Sequence, residues 1–298
     1  MEYGDKHILV LGAGASGIGA SWVLAQVGAH VVLNDYKPVT LPATEEGRLV
    51  SAGVEIITGR QDESLLDGVD RIVISPGISL DIPIVKAAQA RGIDVVSEVE
   101  LAYEVSKSPI VAVTGTNGKT TTTTLLTKVL EGSGKPVRVG GNIGDSLSEV
   151  AYSMPAGGFL VAELSSYQLE TIKHFRPIGA IMLNITPDHL ARHKTMENYI
   201  AAKERIFENQ LKSDYLVLNI DDSVVADMEH RAPSHILQIS QKQTVENGAY
   251  YANGQCYVVK NGVATAVIGD EDIHIPGSHN IENILTVIAL TYALGVPV

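Results

Sequence analysis

The sequence predicts an α/β protein built from two parallel-sheet domains in tandem. Three observations support this class. Short continuous apolar runs such as Ile8-Leu-Val-Leu11, and Ile72-Val-Ile74 within the strand from Arg71, mark strands buried on both faces, as in parallel sheets covered by helices. These runs alternate with helical segments, and repeated β-α units imply right-handed crossovers. A strand, a glycine turn and a helix start also follow one another twice, near residues 8–27 and 110–130.

The first domain is expected over residues 1–106. Its strand at 8–11 runs into Gly12-Ala-Gly-Ala-Ser-Gly17, which matches G-x-G-x-x-G, and residues 21–27 read as helix. His30-Val-Val-Leu33 is a second buried strand, with Asp35 just past its end and 18 residues after Gly17. This is a dinucleotide-binding fingerprint in its strand–turn–helix context, so the domain is expected to be Rossmann-like. Strands at 54–57, 71–74 and 94–96 and helices near 44–52, 82–91 and 98–106 continue the alternation. The fingerprint says that a diphosphate can sit on the helix starting near Ser16; it does not name the group beyond it. Ser75-Pro-Gly-Ile78 offers a second glycine turn at the same sheet edge. From these residues alone the ligand is open.

Lys107-Ser-Pro109 marks the boundary, because Pro109 starts a strand and biases Ser108 to extended geometry. The second domain, 107–298, is expected to be a P-loop-type mononucleotide-binding α/β domain with a small antiparallel β excursion. Its loop lies in Val111-Ala-Val-Thr-Gly-Thr-Asn-Gly-Lys-Thr-Thr121, a shortened P-loop with Val113 where the full spacing needs glycine. Backbone N–H groups and the helix dipole favour a phosphate there. Lys119 adds a full positive charge, and the Thr120 hydroxyl suits Mg²⁺.

Strands at 136–139, 158–162, 179–183 and 214–218 all end in polar residues. The C-terminal edge of an open parallel sheet is where ligands bind. Thr120, Asn142, Glu163, Asp188 and His189 are therefore expected to converge, with Thr120, Glu163 and His189 as a Mg²⁺ shell beside bound phosphates. Taken alone, Glu163 reads equally as a strand-end carboxylate capping the next helix. Lys203, on a helix expected over 196–209, reads alone as a solvated lysine. Residues 235–268 hold short β pieces with Asn-Gly turns at 247–248, 253–254 and 261–262, the expected antiparallel excursion. Asn280 and Asn283 share one face of the last helix, where they cap it or present amides to a base.

Composition narrows the function. Apolar residues at 45% and charged residues at 19% suit a globular chain of 298 residues with a sizeable core. A net charge of −12 argues against nucleic-acid binding and against anionic membranes. Cys256 is the single cysteine, so no intrachain disulfide forms, and a reducing cytoplasm is the expected location. The N-terminus lacks a signal-peptide pattern and no apolar run reaches membrane-spanning length, so no membrane insertion is expected. An NAD-dependent oxidoreductase would leave the Gly-Lys-Thr loop unexplained. A nucleotide-hydrolysing switch protein would leave the first domain idle.

Three motifs in order carry a resemblance to a known family: Gly115-Thr-Asn-Gly-Lys-Thr120, Glu163-Leu-Ser-Ser-Tyr-Gln-Leu169, and Asn184-Ile-Thr-Pro-Asp-His189 followed by Ala202-Lys203. Over its whole length the chain resembles the Mur ligases of peptidoglycan synthesis, and the second motif is similar to that of the D-glutamate-adding member. The resemblance implies an ADP-forming ligase of the cytoplasm, expected to be monomeric, in a pathway that serves cell shape and division. It would join D-glutamate to UDP-N-acetylmuramoyl-L-alanine through an acyl phosphate, with ATP and Mg²⁺. Gly115, Thr116, Asn117, Gly118, Lys119, Thr120 and Thr121 would then hold ATP, with Asn280 and Asn283 near the adenine.

By the same resemblance Thr120 and Glu163 would share one Mg²⁺, and His189 with a carbamylated Lys203 a second. Carbamylation makes chemical sense, since CO₂ turns a cationic amine into an anionic oxygen donor for a hard cation. Asn142 would contact both substrate and metal, and the catalytic set would be Lys119, His189, Lys203 and Asn142. Gly14, Ala15, Ser16, Asp35 and Gly77 would hold UDP, so the fingerprint reads UDP and not NAD. Ala191 stands where an acidic residue is common in the family and Lys194 where glycine is common. The family's C-terminal amino-acid-binding domain has no counterpart here, so the chain is expected to be a piece of a longer protein, inactive alone.

Overall fold

In a computed structural model of the chain the described residues run from Tyr3 to Pro297; Met1, Glu2 and Val298, at the ends of the expected domains, lie outside them. The chain divides into two compact units. The first takes the residues up to Lys107 together with Gly144–Met154 and Tyr167–Phe175. The second takes Ser108–Ile143, Pro155–Ser166 and the residues from Arg176 onward.

Besides short 3₁₀ turns, the elements begin with β1 (His7–Leu11), α1 (Ala15–Gln26), β2 (His30–Asp35), α2 (Ala43–Ser51), β3 (Glu55–Thr58), β4 (Arg71–Ile74), α3 (Pro83–Ala90), β5 (Asp94–Ser97) and α4 (Glu98–Val105). Next come β6 (Ile110–Thr114), α5 (Lys119–Glu131), β7 (Val137–Gly141), α6 (Leu147–Ser153), β8 (Phe159–Glu163), α7 (Ser166–Leu169), β9 (Gly179–Met182), α8 (Leu190–His193) and α9 (Met196–Glu204). The last are β10 (Tyr215–Asn219), α10 (Ser223–Ala226), β11 (His235–Ser240), β12 (Gly248–Ala252), β13 (Gln255–Lys260), β14 (Val263–Gly269) and α11 (Ser278–Ala293).

The first unit is built on a five-stranded sheet in the order β3-β2-β1-β4-β5, parallel throughout. Alternation along each strand divides the apolar residues between two cores. Ile8, Val10, Leu33 and Val73 pack on one face, and Leu9, Leu11, Ile72 and Ile74 on the other. The strand order reverses between β1 and β4, so a crevice opens at their C-terminal ends. Two acids of α4 bind the later segments that join this unit. Glu98 accepts from the Ser148 N–H at 2.9 Å, and Glu100 accepts from the N–H groups of Lys173, His174 and Phe175 at 2.7–3.1 Å. A sequence boundary at 106 does not anticipate these segments, because side-chain carboxylates recruit them across long sequence separations.

The second unit holds a nine-stranded sheet, β14-β13-β12-β11-β10-β9-β6-β8-β7. It is parallel from β7 to β12; only β12–β13 and β13–β14 are antiparallel. The antiparallel excursion is therefore confined to β12–β14, while β11 extends the parallel sheet. Asn253-Gly254 and Asn261-Gly262 make the two hairpin turns, all four residues at positive φ. Asn247-Gly248 makes none: Gly248 opens β12, where a Cβ would stand 1.9 Å from the Gln238 carbonyl oxygen. The helix expected over 196–209 gives way to a 3₁₀ turn at Arg205–Phe207. Leu126 and Leu130 of α5 and Leu285 and Leu290 of α11 join Val111, Val113, Ile181 and Val217 in one core. Among the described residues no helix is long and apolar enough to cross a membrane.

Candidate active site

β6 is buried along its length and ends where the chain must turn sharply. A Cβ on Gly115 (φ +150) would meet Leu183 Cβ at 2.8 Å, and one on Gly118 (φ +84) would meet Asn283 Oδ1 at 2.7 Å. Both positions need glycine. Gly118 is the N-cap of α5 and supplies no side-chain cap, which leaves the first-turn N–H groups for an anion. Thr120 and Thr121 lie exposed on that turn.

The loop is held from three directions. Thr116 N donates to the Asn184 carbonyl at 2.9 Å and Asn117 N to Asn184 Oδ1 at 2.8 Å. The Thr116 hydroxyl pairs with the Tyr199 hydroxyl at 3.0 Å. Thr122 Oγ1 donates to Asn283 Oδ1 at 3.0 Å, and Asn283 Nδ2 donates to Asn280 Oδ1 at 3.0 Å. Asn283 is only 3% exposed, and Asn280 donates to the Pro276 carbonyl at 2.7 Å. As placed, both amides are engaged within the protein, bracing the loop and the start of α11.

Charges gather beside this loop. Glu163, 1% exposed, accepts from Asn142 Nδ2 at 3.0 Å through Oε1, while its buried Oε2 has no hydrogen-bond partner. The Asn142 N–H also donates to the Glu163 carbonyl at 2.8 Å. Gly141 permits that approach, since a Cβ there would stand 2.3 Å from the same oxygen. Lys119 Nζ folds back onto the Gly115 and Thr116 carbonyls at 3.1 and 2.9 Å. Burial lowers its pKa, against the pull of Glu163 and Asp188. Lys203, 2% exposed, is pushed down to about 7 by burial and then by the Lys119 charge, against Asp188. Lys119, Lys203, Glu163 and Asp188 thus share one field.

His189 sits at φ +53 with Nε2 3.4 Å from Asp188 Oδ2, and its ring lies edge-on to Tyr199 at 6.3 Å. Among the described residues, no three His, Cys, Asp or Glu side chains cluster in a ready cation site. The donor chemistry still fits a hard divalent cation at Glu163, whose unpartnered buried oxygen lacks a positive neighbour in hydrogen-bond contact. Lys203 as an amine offers no anionic oxygen; a carbamate would. Lys194 stands at φ +72, a conformation that favours glycine.

Two braces of this loop had no assigned role in the sequence. Asn184 ends up clamping Thr116 and Asn117. Tyr199 is buried, with the Lys203 ammonium 5.0 Å from its ring centroid. Its signal was available: Tyr199 and Lys203 are four apart on α9, which puts them on one helical face.

In the first unit, the fingerprint glycines divide by environment. A Cβ on Gly12 would meet Ser75 Oγ at 2.8 Å, and one on Gly17 would meet the Gly12 carbonyl oxygen at 1.8 Å. Gly14 and Gly77 face open space, with nothing within 4 Å of a Cβ. These two turns follow β1 and β4, where the strand order reverses, and Ala15 is exposed and Ser16 partly so. The Asp35 carboxylate accepts from Ala13 N at 3.0 Å and Lys37 N at 2.9 Å, so it also fastens the glycine turn.

Comparison with known proteins gives this geometry a family. The Mur ligase middle domain matches residues 113–291, and the MurD-like N-terminal domain of Mur ligases matches 6–97. The UDP-N-acetylmuramoylalanine–D-glutamate ligase of Thermoanaerobacter pseudethanolicus is 45% identical over 99% of this chain and 65% of its own length. That of Caldanaerobacter subterraneus subsp. tengcongensis is 45% identical over 100% and 65%. The chain thus spans about 65% of the curated relatives it matches. The crystal structure of UDP-N-acetylmuramate:L-alanyl-gamma-D-glutamyl-meso-diaminopimelate ligase from Neisseria meningitides shares the fold. Its TM-score is 0.64 at 22% identity, covering 98% of this chain and 94% of that one. The comparisons support neither a nicotinamide-dependent oxidoreductase nor a switch protein. Both glycine turns fall inside matched domains of one family, and the chain belongs to the Mur ligases.

Proposed function

We propose that the protein is an ADP-forming ligase that joins D-glutamate to UDP-N-acetylmuramoyl-L-alanine, acting as a cytoplasmic monomer in peptidoglycan synthesis. Residues 1–106 hold UDP through Gly14, Ala15, Ser16, Asp35 and Gly77. Residues 107–298 hold ATP on the loop from Gly115 to Thr121, with Asn280 and Asn283 behind it. The observation that carries this reading is the convergence of the Lys119 and Lys203 ammonium groups on the Gly115 carbonyl of one glycine loop, with Glu163 acting on Lys119. Such a field suits a reaction that brings a carboxylate against a triphosphate.

In the proposed reaction the terminal carboxylate of the UDP-sugar attacks the γ-phosphorus of ATP. The bond to the bridging oxygen breaks, ADP leaves with the electron pair, and an acyl phosphate forms. The neutral D-glutamate amine then attacks the acyl carbon, phosphate departs with the electron pair of the broken C–O bond, and the nitrogen gives up one proton, leaving a neutral amide. Lys119 leaves the Gly115 and Thr116 carbonyls to neutralise charge on the β- and γ-phosphates. Mg²⁺ held by Thr120 and Glu163, and by His189 with carbamylated Lys203, would supply further neutralisation between carboxylate and triphosphate. Asn142 keeps Glu163 in place from one side while contacting substrate. The test is ADP release by the complete enzyme, which should require both UDP-N-acetylmuramoyl-L-alanine and D-glutamate. Lys119→Ala should cut it about 10²–10³-fold. Near-normal turnover in that variant, or release indifferent to the two substrates, rejects the reading.

A further inference from the structure

A cavity of about 330 Å³ lies in the second unit, away from the nucleotide loop. It opens where β10 and β11 begin, at Tyr215 and His235, and where β13 ends at Lys260. That is the N-terminal edge of the parallel strands; the loop at 115–118 lies at their C-terminal edge. α11 passes both. Asn283 braces the loop, and Tyr292, nine residues on and about 14 Å farther along the axis, lines the cavity.

The lining has an unusual charge for a chain of net charge −12. Lys212, Lys260 and His235 line it, and among the described residues no carboxylate does. Two acids directly adjoin lining residues in sequence: Asp214, engaged by Arg176 at 2.7 and 2.9 Å and by the Leu211 N–H at 2.7 Å, and Glu246, which lines a neighbouring cavity and not this one. Beneath the cations the lining is apolar and aromatic. Leu237 contributes to it, as do Tyr292 and Tyr215, whose ring stands edge-on to His235 at 5.8 Å. The volume falls in the range of pockets for small molecules, about 300–1,000 Å³. A polyphosphate would leave the apolar lining unused, and a neutral apolar ligand would gain nothing from the two exposed lysines at its rim.

We propose that this cavity is a second ligand site, one that takes a small organic anion with an aromatic body. Its carboxylate meets Lys212 and Lys260 at the mouth, and its ring packs between Tyr215, Tyr292 and Leu237. The proposal is independent of the reading of the nucleotide loop.

The probe is benzoate, titrated into the complete protein with and without saturating ADP, and followed by calorimetry and by the tyrosine ring resonances. Saturable binding unaffected by ADP is expected, with Tyr215 and Tyr292 as the rings that shift. Lys212→Gln/Lys260→Gln, at exposed positions, should weaken benzoate about tenfold or more, and neutral benzamide should bind the unaltered protein about as weakly. Equal affinity for benzoate and benzamide overturns the proposal, as does unchanged affinity in the double variant. Displacement of benzoate by ADP overturns it too, because the anion would then be on the nucleotide loop.

Discussion

Lys203 Nζ donates to the Gly115 carbonyl at 2.7 Å, and the Lys119 ammonium donates to the same oxygen at 3.1 Å. Burial, and then the repulsion between two ammonium groups on one acceptor, push the Lys203 pKa down to about 7. An amine near that value is substantially neutral at neutral pH, and the neutral form is the one that attacks CO₂. Carbamylation would remove the repulsion by making one partner an anion. Lys203→Ala in the complete enzyme should therefore lose at least about 10²-fold in kcat. Millimolar acetate or formate, filling the vacated space with a carboxylate, should restore part of it. No rescue by any short carboxylic acid, with the variant folded, would count against the carbamate.

Gly118→Ala should injure nucleotide binding more than stability. The left-handed backbone costs an alanine about 1 kcal/mol, and its Cβ would stand 2.7 Å from Asn283 Oδ1. Asn283 is buried among its partners, so the loop is the part that must shift, and with it the first N–H groups of α5. Calorimetry with ADP should show affinity down about tenfold or more, with Tm lowered by only a few degrees. Unchanged ADP affinity would mean that the loop geometry tolerates a side chain.

Thr122 and Asn283 should be energetically coupled. Their 3.0 Å hydrogen bond is fully buried and joins residues 161 apart in sequence. Removing either partner leaves a buried polar group unsatisfied, at about 1–3 kcal/mol. In urea denaturation, Thr122→Val and Asn283→Leu should each destabilise, and the double variant should lose less than their sum. Strict additivity would show that the contact does not hold α11 to α5.

Much of this arrangement was legible in the sequence because it rests on local rules. The continuous apolar runs gave parallel strands, and each glycine turn followed a buried strand, as at Leu11–Gly12 and Thr114–Gly115. Strand-end polarity pointed to the sheet edge that carries Asn142, Glu163 and His189. The parts that were not legible depend on contacts between distant residues. Nothing local to Asp35 says that it ties down Ala13, and nothing local to Asn283 says that it fills the space a Cβ on Gly118 would need. The parallel pairing of β11 and β12 was hidden for a related reason: the Asn247-Gly248 pair looks like a hairpin turn until Gln238 is seen against it.

Glu98 should govern part of the pH dependence of stability. Its carboxyl is buried and accepts the Ser146 and Ser148 hydroxyls and the Ser148 N–H through Oε1, while Oε2 has no hydrogen-bond partner. Burial raises its pKa above the ordinary 4.5, and the hydrogen bonds from Ser146, Ser148 and Ser16 only partly oppose this. The folded state then holds a proton that the unfolded state releases first. The stabilisation from this group is fully present below about pH 4.5 and is lost as pH rises through the folded-state value. Glu98→Gln keeps a neutral side chain of the same shape at every pH. The variant should match the parent near pH 4 and gain on it above pH 4.5, by at most about 1.4 kcal/mol per pH unit within the window. Thermal melts of both proteins across that range decide the matter, and parallel curves would show that Glu98 is already ionised in the fold.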